Sequence, residues 1–284
     1  MNNKISMFLD LDGTLLGRSR KLHPYTKKAL EDARKEGHKL YLCSGRPPRY
    51  LASGICREVH FDGMVCCAGG CVYVGDELIY ENGIPLDTLQ QVTEILDQES
   101  VLWQYDTRNG TYTSKACSDT FENMLLDSGY LKGETLARYE AEQKAAIEGG
   151  AYHLVEEWSE DIAVQKIIFV SEDRKCFERA LASLPEEFIV STFFDSEKSI
   201  AGELIPESCT KQQGIAKVLE KTGCSWENTA GFGDSRNDLE MLSAVRIKAA
   251  SVFSPDELKA VADYIFADPD EGGLGRTLRE ILQK

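Results

Sequence analysis

The apolar run Met7-Phe8-Leu9 stops at Asp10, and a second carboxylate follows at Asp12, then Gly13 and Thr14. Side chains two apart on an extended chain point to the same side. A strand ending here would therefore converge two like charges, which is stable only if one acid takes up a proton or a cation sits between them. In an open α/β sheet, ligands bind beyond the carboxyl ends of the strands. Gly13 permits the tight turn that such a position needs, and Thr14 adds a hydroxyl. The competing reading is a strand that ends in a solvated acidic turn, so the rest of the chain has to decide.

The segments around this motif alternate. Residues 4–9 read as a strand. Residues 24–36 read as a helix, with Tyr25, Ala29, Leu30 and Ala33 on one stripe and Gly37 as its stop. Residues 38–43 and 59–67 read as further strands. Such alternation predicts a parallel sheet with covering helices. Residues 72–74 and 78–80 flank Gly75-Asp76 and read as a hairpin. From 86 the texture is mixed: a helix over 86–98, strands over 101–105 and 163–170, a helix over 174–184 and a strand over 187–193. Residues 114–150 carry no decisive pattern. Alternation then resumes, with a helix from 211, a strand over 228–232, a helix over 237–244, and strand, helix and strand over 245–267. The expected division is one α/β domain from 1–83 and 194–284, interrupted by an inserted α+β domain over 84–193.

Charge and cysteine usage narrow the partners. A formal net charge of −15 repels polyanions at long range, which disfavours nucleic acid. An anionic small molecule is still admissible if its pocket is locally positive. No apolar run approaches the roughly 18 residues of a membrane span, and no secretory pattern opens the chain. Nine cysteines at irregular spacing read as reduced thiols in a cytoplasm rather than a disulfide framework. Cys66, Cys67 and Cys71 lack a zinc-type spacing and read as core residues.

Three further stretches bear on the acidic motif. Ser44-Gly45-Arg46 follows the second strand, where a hydroxyl and adjacent backbone N–H groups suit a phosphate oxygen. Thr210-Lys211-Gln212-Gln213 has the form of a capping box. A lysine in the first helical turn opposes the macrodipole unless an anion lies between them. Gly233-Asp234-Ser235-Arg236-Asn237-Asp238 follows an apolar strand and opens a helix. Caps account for one or two of these residues, but not for the whole string. Asp234 at its strand end could join Asp10 and Asp12 around one hard cation, with oxygen ligands suited to Mg²⁺.

Taken in order, Asp10-Leu-Asp12-Gly13-Thr14, Ser44-Gly45-Arg46, Lys211 and Gly233-Asp234-Ser235-Arg236-Asn237-Asp238 resemble the motifs of the haloacid dehalogenase superfamily. The long insert resembles its Cof-type branch, subclass IIB. The resemblance implies a Rossmann-like three-layer α/β/α core with a parallel sheet and an inserted α+β cap of the C2B type. It implies a Mg²⁺-dependent phosphatase acting on a small phosphorylated metabolite, a sugar phosphate or a phosphorylated cofactor. Asp10 would be the nucleophile that forms an aspartyl-phosphate, and Asp12 the general acid and base. Thr14, Ser44, Gly45 and Lys211 would hold the phosphoryl group. Asp10, Asp234 and the backbone carbonyl of Asp12 would hold the metal, supported by Arg46, Ser235, Asn237 and Asp238. A phosphotransferase or phosphomutase on the same intermediate is the alternative, and a non-catalytic binding protein a more distant one. Monomer and homodimer both stay open.

Two stretches depart from that branch: Ala68-Gly69-Gly70, where relatives often carry Asn-Gly, and Lys248-Ala249-Ala250-Ser251, where they often carry Gly-Asn-Ala. Both are expected in loops near the substrate, which puts the leaving group in question. Trp103, Tyr105, Tyr112 and Trp158 are candidates for the cap's substrate face, against a plain core role for each. Hinges are expected near 83–85 and 193–200.

Overall fold

The computed structural model describes residues 4–155 and 162–284. Its strands, in chain order, are β1 (Ser6–Leu9), β2 (Lys39–Cys43), β3 (Gly63–Cys66), β4 (Cys71–Val74), β5 (Glu77–Glu81), β6 (Leu102–Thr107), β7 (Gly110–Thr113), β8 (Tyr152–Leu154), β9 (Val164–Ser171), β10 (Phe188–Asp195), β11 (Ile200–Pro206), β12 (Thr229–Gly233), β13 (Ile247–Ser251) and β14 (Tyr264–Phe266). The α-helices are α1 (Pro24–Lys35), α2 (Pro48–Ser53), α3 (Leu86–Gln98), α4 (Lys115–Asp127), α5 (Glu134–Glu148), α6 (Arg174–Leu181), α7 (Lys211–Thr222), α8 (Leu239–Ala244), α9 (Asp256–Val261) and α10 (Gly273–Gln283). Two compact units result. The first runs to Gly45 and resumes for Leu51–Glu81 and Thr210–Lys284; the second holds Arg46–Tyr50 and Asn82–Cys209.

The first unit is built on an eight-stranded sheet of order β14-β13-β12-β1-β2-β3-β4-β5. Neighbours from β14 to β3 run parallel, and β3-β4-β5 closes one edge as an antiparallel meander. Both faces are covered, so the strands are apolar on both sides. Met7 and Leu9 of β1 pack with Leu30 of α1 and Leu274 and Leu278 of α10. Phe8, between them, packs with Ile215 and Val218 of α7 and Met241 of α8. This is the three-layer α/β/α arrangement expected. From β1 the chain moves to β2 and β3 on one side, and later from β12 to β13 and β14 on the other. The carboxyl ends of β1 and β12 therefore flank the point where strand order reverses, the usual ligand position in such sheets.

The second unit is a six-stranded sheet of order β10-β11-β9-β6-β7-β8, antiparallel except for β7 and β8. Val92 and Leu96 of α3 and Phe177 of α6 cover Ile167, Phe169 and Leu204 on one face. Cys117 and Met124 of α4 cover Val170 and Ala201 on the other. Trp103 and Tyr105, expected as substrate-facing candidates, belong to the helix-packed side: their rings stack at 4.4 Å, Trp103 Nε1 donates to Asp97, and both pack into the α3 and α6 core. Tyr112 stacks on His153 with ring centroids 4.3 Å apart. Trp158 lies outside the described residues.

Three expectations need correction. The return to the first unit falls after Cys209, not at 194, because β11 forms the middle of the second sheet between β10 and β9. Gly202 hides this strand from a pattern reading; a Cβ there would overlap the Ser191 carbonyl and press on the Phe169 ring. The hinge expected at 193–200 is instead the β10–β11 hairpin, tied by the Ser196 hydroxyl to the Ser199 carbonyl at 2.9 Å. Residues 46–50 group with the second unit rather than the first. Helices α4 and α5 occupy much of the unassigned stretch 114–150. Their apolar stripes are thin: Cys117 and Met124 are the buried residues of α4, Tyr139 and Ala146 those of α5. Helix α10 opens on Gly273 and Gly275 with no capping side chain. Gly275 is needed because a Cβ there would crowd the Thr26 backbone of α1.

Candidate active site

The end of β1 is stitched to β12: the Asp10 N–H donates to the Phe232 carbonyl at 2.9 Å. The chain then turns through Gly13, whose φ of +85° is one that glycine adopts without strain. The Gly13 N–H returns to the Leu16 carbonyl at 2.7 Å. Glycine is doubly required there, since a Cβ would overlap the Asp234 carboxylate. That close approach sets Asp234 against the β1 turn, where the Thr14 hydroxyl donates to Asp234 Oδ1 at 3.2 Å.

Lys211 opens α7, and the Thr210/Gln213 capping box that the sequence predicts is present there. Its side chain is 1% exposed. The ammonium donates to Asp10 Oδ1 at 2.7 Å and to Asp238 Oδ1 at 2.6 Å. The first-turn lysine thus meets its anions inside the protein. Asp238 caps the loop after β12, accepting the N–H groups of Asp234 and Ser235 on Oδ2 at 3.0 and 3.1 Å. Gly233 makes room, because a Cβ would crowd the Asp238 carboxyl. Ser235 donates its hydroxyl to Asn237 Oδ1 at 2.9 Å. Arg236 points away to an exposed pair with Glu257.

Oxygens of Asp10, Asp234 and Asp238 lie within 4.8 Å of one another. Burial, with repulsion from Asp238 and Asp12 and against the pull of Lys211, raises Asp10 to about 7. Burial and the charges of Asp10 and Asp238 raise Asp234 to about 9. Burial alone would lower the Lys211 ammonium, but Asp10 and Asp238 outweigh it and hold it well above its usual range. One buried cation therefore faces three carboxylates, a surplus of negative charge that a bound cation relieves. Hard oxygen donors converging in this way fit a divalent ion such as Mg²⁺.

The Asp12 side chain is exposed and outside this acidic group, while Asp238, expected only in support, is inside it. The Asp12 charge still acts on Asp10, adding to the burial that raises the Asp10 carboxyl. Ser44 is buried at the end of β2, its N–H bonded to the Val65 carbonyl at 2.8 Å. Gly45 ends the first segment of the first unit, whereas Arg46 groups with the second unit, over the Tyr50 ring and 4.0 Å from Glu142. Cys66, Cys67 and Cys71 are buried free thiols.

Of the two departures, one is a loop and one is not. Cys67 and Ala68 have φ of +49° and +57°. A left-handed conformation costs a non-glycine residue about 1–2 kcal/mol. The adjoining Gly69 is held against the Thr210 carbonyl, at the start of α7. Residues 248–251, by contrast, lie in β13, and the loop begins at Val252.

The sequence pattern of haloacid dehalogenase-like hydrolases matches residues 7–278. YkrA of Bacillus subtilis is 25% identical over 283 residues, covering 99% of this chain and 98% of its own. The 5-amino-6-(5-phospho-D-ribitylamino)uracil phosphatase YitU of the same organism is 24% identical over 279 residues, 96% of this chain and 95% of YitU. Among solved structures, the subclass IIB sugar phosphatase BT4131 superposes with a TM-score of 0.73 at 22% identity, covering 98% of this chain and 99% of that one. A sheet with a reversal in strand order and an acidic cluster at that reversal define a doubly wound α/β protein with a candidate cation site at the strand ends. The chain belongs to the haloacid dehalogenase-like hydrolases. No helix among the described residues is long and apolar enough to cross a membrane.

Proposed function

We propose that this protein is a divalent-metal-dependent phosphatase that hydrolyses a small phosphorylated metabolite through an aspartyl-phosphate on Asp10. The observation that carries the reading is the buried Asp10 at the strand-order reversal, held by Lys211 beside Asp234 and Asp238. One Asp10 oxygen would attack phosphorus, while the other would face the metal; Oδ1 accepts from the Lys211 ammonium. The bond from phosphorus to the ester oxygen breaks as the Asp10–phosphorus bond forms. Asp12, exposed at the turn, protonates the departing oxygen. It then takes a proton from the water that attacks the aspartyl-phosphate, which restores Asp10 and releases inorganic phosphate. Lys211 offsets phosphoryl charge, and the Thr14 and Ser44 hydroxyls with the Gly45 N–H hold phosphoryl oxygens.

Asp10, Asp234 and the Asp12 backbone carbonyl would hold Mg²⁺, which supplies positive charge against the phosphoryl oxygens. Asp238 supports from behind: its Oδ1 is taken by Lys211 and its Oδ2 by two backbone N–H groups. The relative YitU is named for a phosphate ester on a ribityl chain, which agrees with a small hydroxylated leaving group. Nine free cysteines agree with a reducing cytoplasm.

Phosphate release from a panel of phosphorylated metabolites, with and without Mg²⁺, tests the reading, with Asp10→Asn as the control. Release that is abolished by both chelation and the substitution supports it. Transfer to an added sugar hydroxyl instead of water would make the enzyme a phosphotransferase. Release that survives Asp10→Asn overturns the nucleophile.

A further inference from the structure

We propose that Asp270 is a positioning residue: it latches the tip of the turn that follows β1, and through that turn it sets the Asp12 carboxyl for proton transfer. The proposal rests on the phosphatase reading, in which Asp12 moves the proton. All of the residues involved belong to the first unit.

The turn is a closed piece of backbone. Asp12 pairs with Leu16, and Leu16 with Leu22. The Gly13 N–H donates to the Leu16 carbonyl, and the Leu16 N–H donates to the Leu11 carbonyl at 2.8 Å. Leu16 therefore couples Asp12 on one side to residues 17–22 on the other. Leu15 and Leu22 are buried and hold the base of the turn. None of residues 17–21 is buried, so polar contacts have to hold the tip.

Asp270 supplies them from 251 positions away. Its Oδ1 accepts the Ser19 hydroxyl at 2.6 Å and its Oδ2 accepts the Ser19 N–H at 2.8 Å. Both oxygens of one carboxylate grip one residue, and bonds to a charged acceptor are about twice as strong as neutral ones. Gly17 admits the carboxylate, since a Cβ there would overlap it. The platform beneath is itself fixed. Asp270 lies in the short turn Pro269–Glu271, where Pro269 is buried and the Asp270 N–H donates to Asp268 Oδ1 at 2.8 Å. Arg20, next to the gripped residue, holds φ at +54°. A non-glycine residue keeps a left-handed backbone only where its surroundings impose it, so the tip is held in a conformation that it would leave on release. A second contact of the tip, Arg18 over the Phe253 ring at 5.7 Å, is made at the surface, where Phe253 is 59% exposed.

A general acid must come within hydrogen-bond reach of the ester oxygen. Misplacement by about 1 Å can cost about 10²-fold in rate. The Asp12 side chain is exposed, so its reach is set by the backbone that carries it.

The test compares leaving groups of different basicity. A sugar alkoxide needs a proton from Asp12 to depart, whereas the nitrophenolate of p-nitrophenyl phosphate departs without one. The two probes are p-nitrophenyl phosphate and whichever is hydrolysed fastest among the primary-alcohol monophosphates of glucose, ribose and glycerol. kcat/KM on both is measured for the native chain, Asp270→Ala, Asp12→Asn and the double variant. Asp270→Ala is expected to lose about 10- to 100-fold on the alkyl ester and less than about threefold on p-nitrophenyl phosphate. In the Asp12→Asn background the same substitution is expected to add no further loss, because its effect runs through Asp12. Gly17→Ala, whose Cβ displaces the Asp270 carboxylate from Ser19, is expected to reproduce the pattern, and it decides the matter should Asp270→Ala not fold. Equal losses on the two esters, an undiminished loss in the Asp12→Asn background, or no loss on either ester would each overturn the proposal and leave Asp270 a structural residue. If the native chain releases phosphate from no alkyl ester, the phosphatase reading fails separately, and amide exchange decides the latch. Asp270→Ala must then speed exchange at Gly13 and Leu16, and unchanged rates reject it.

Discussion

The Lys211 ammonium lies 2.7 Å from Asp10 Oδ1, although 201 positions separate the two residues in the chain. Its second bond, to Asp238, is 2.6 Å. Both bonds are buried, so removing the cation strands two carboxylates away from water. Breaking a buried pair in this way costs about 3–5 kcal/mol. Lys211→Met is expected to lower the denaturant midpoint by an amount of that order and to cut phosphate release by about 10²-fold or more. A stable, active Lys211→Met protein would show that the pair has neither role.

Asp10 and Asp12 should separate cleanly in a comparison of activity with stability. Asp10→Asn is expected to reduce phosphate release by more than about 10³-fold. In chelator it should unfold no earlier than the native protein, because it removes a buried charge that Asp238 and Asp12 repel. Asp12→Asn is expected to cost about 10²- to 10⁴-fold in rate. Its stability should change by no more than about 0.5 kcal/mol, since the side chain is exposed. Thermal melts and initial rates on the same preparations check both.

The acidic cluster also sets a pH dependence. In the unfolded chain an aspartate titrates near 3.8, against about 7 for Asp10 and about 9 for Asp234 in the folded, metal-free protein. Between these values the folded state holds protons that the unfolded chain has released. Stability therefore falls as pH rises, starting above about pH 4, and the loss is complete near pH 9. Below pH 4 both states carry the protons and the penalty is absent. Melting temperature in chelator should decline from about pH 5 to about pH 9, and excess Mg²⁺ should flatten that decline. Equal slopes with and without Mg²⁺ would rule out cation binding by these carboxylates.

Gly13 is the backbone counterpart of the cluster. Gly13→Ala imposes a left-handed φ on alanine and drives its Cβ into the Asp234 carboxylate. The expected outcome is an Mg²⁺ concentration for half-maximal activity raised by about 10- to 100-fold, the range typical of disturbed groups around a metal site. An unchanged Mg²⁺ requirement would place the ion away from Asp234.

Much of the first unit was legible because its signals are local. Strand-helix alternation over 4–43, the hairpin around Gly75-Asp76 and the Thr210 capping box each depend on residues a few positions apart, and each is present. The second unit was harder to read. Residues 200–206 contain Gly202 and no alternation, yet β11 is central to that sheet, because what stabilises it is pairing with β9 and β10 on both sides. Helices α4 and α5 bury too few apolar residues to show a clear stripe. Asp238 looked like a cap and is one, but the same carboxylate is also a partner of Lys211.

By itself, the sequence determined which chemical groups stand at strand ends and helix starts: Asp10, Asp12, Ser44, Lys211 and Asp234 all follow from patterns of a few residues. It could not decide which acids meet. Tertiary packing alone brought Asp238 into the cluster and left Asp12 outside it, because β12 lies beside β1 and Lys211 at the start of α7 reaches both Asp10 and Asp238. Local pattern specifies a residue's element and orientation along the chain, whereas the distance between two charges separated by some two hundred residues depends on which strands become neighbours. That distance, in a buried site, governs whether they repel, pair or share an ion.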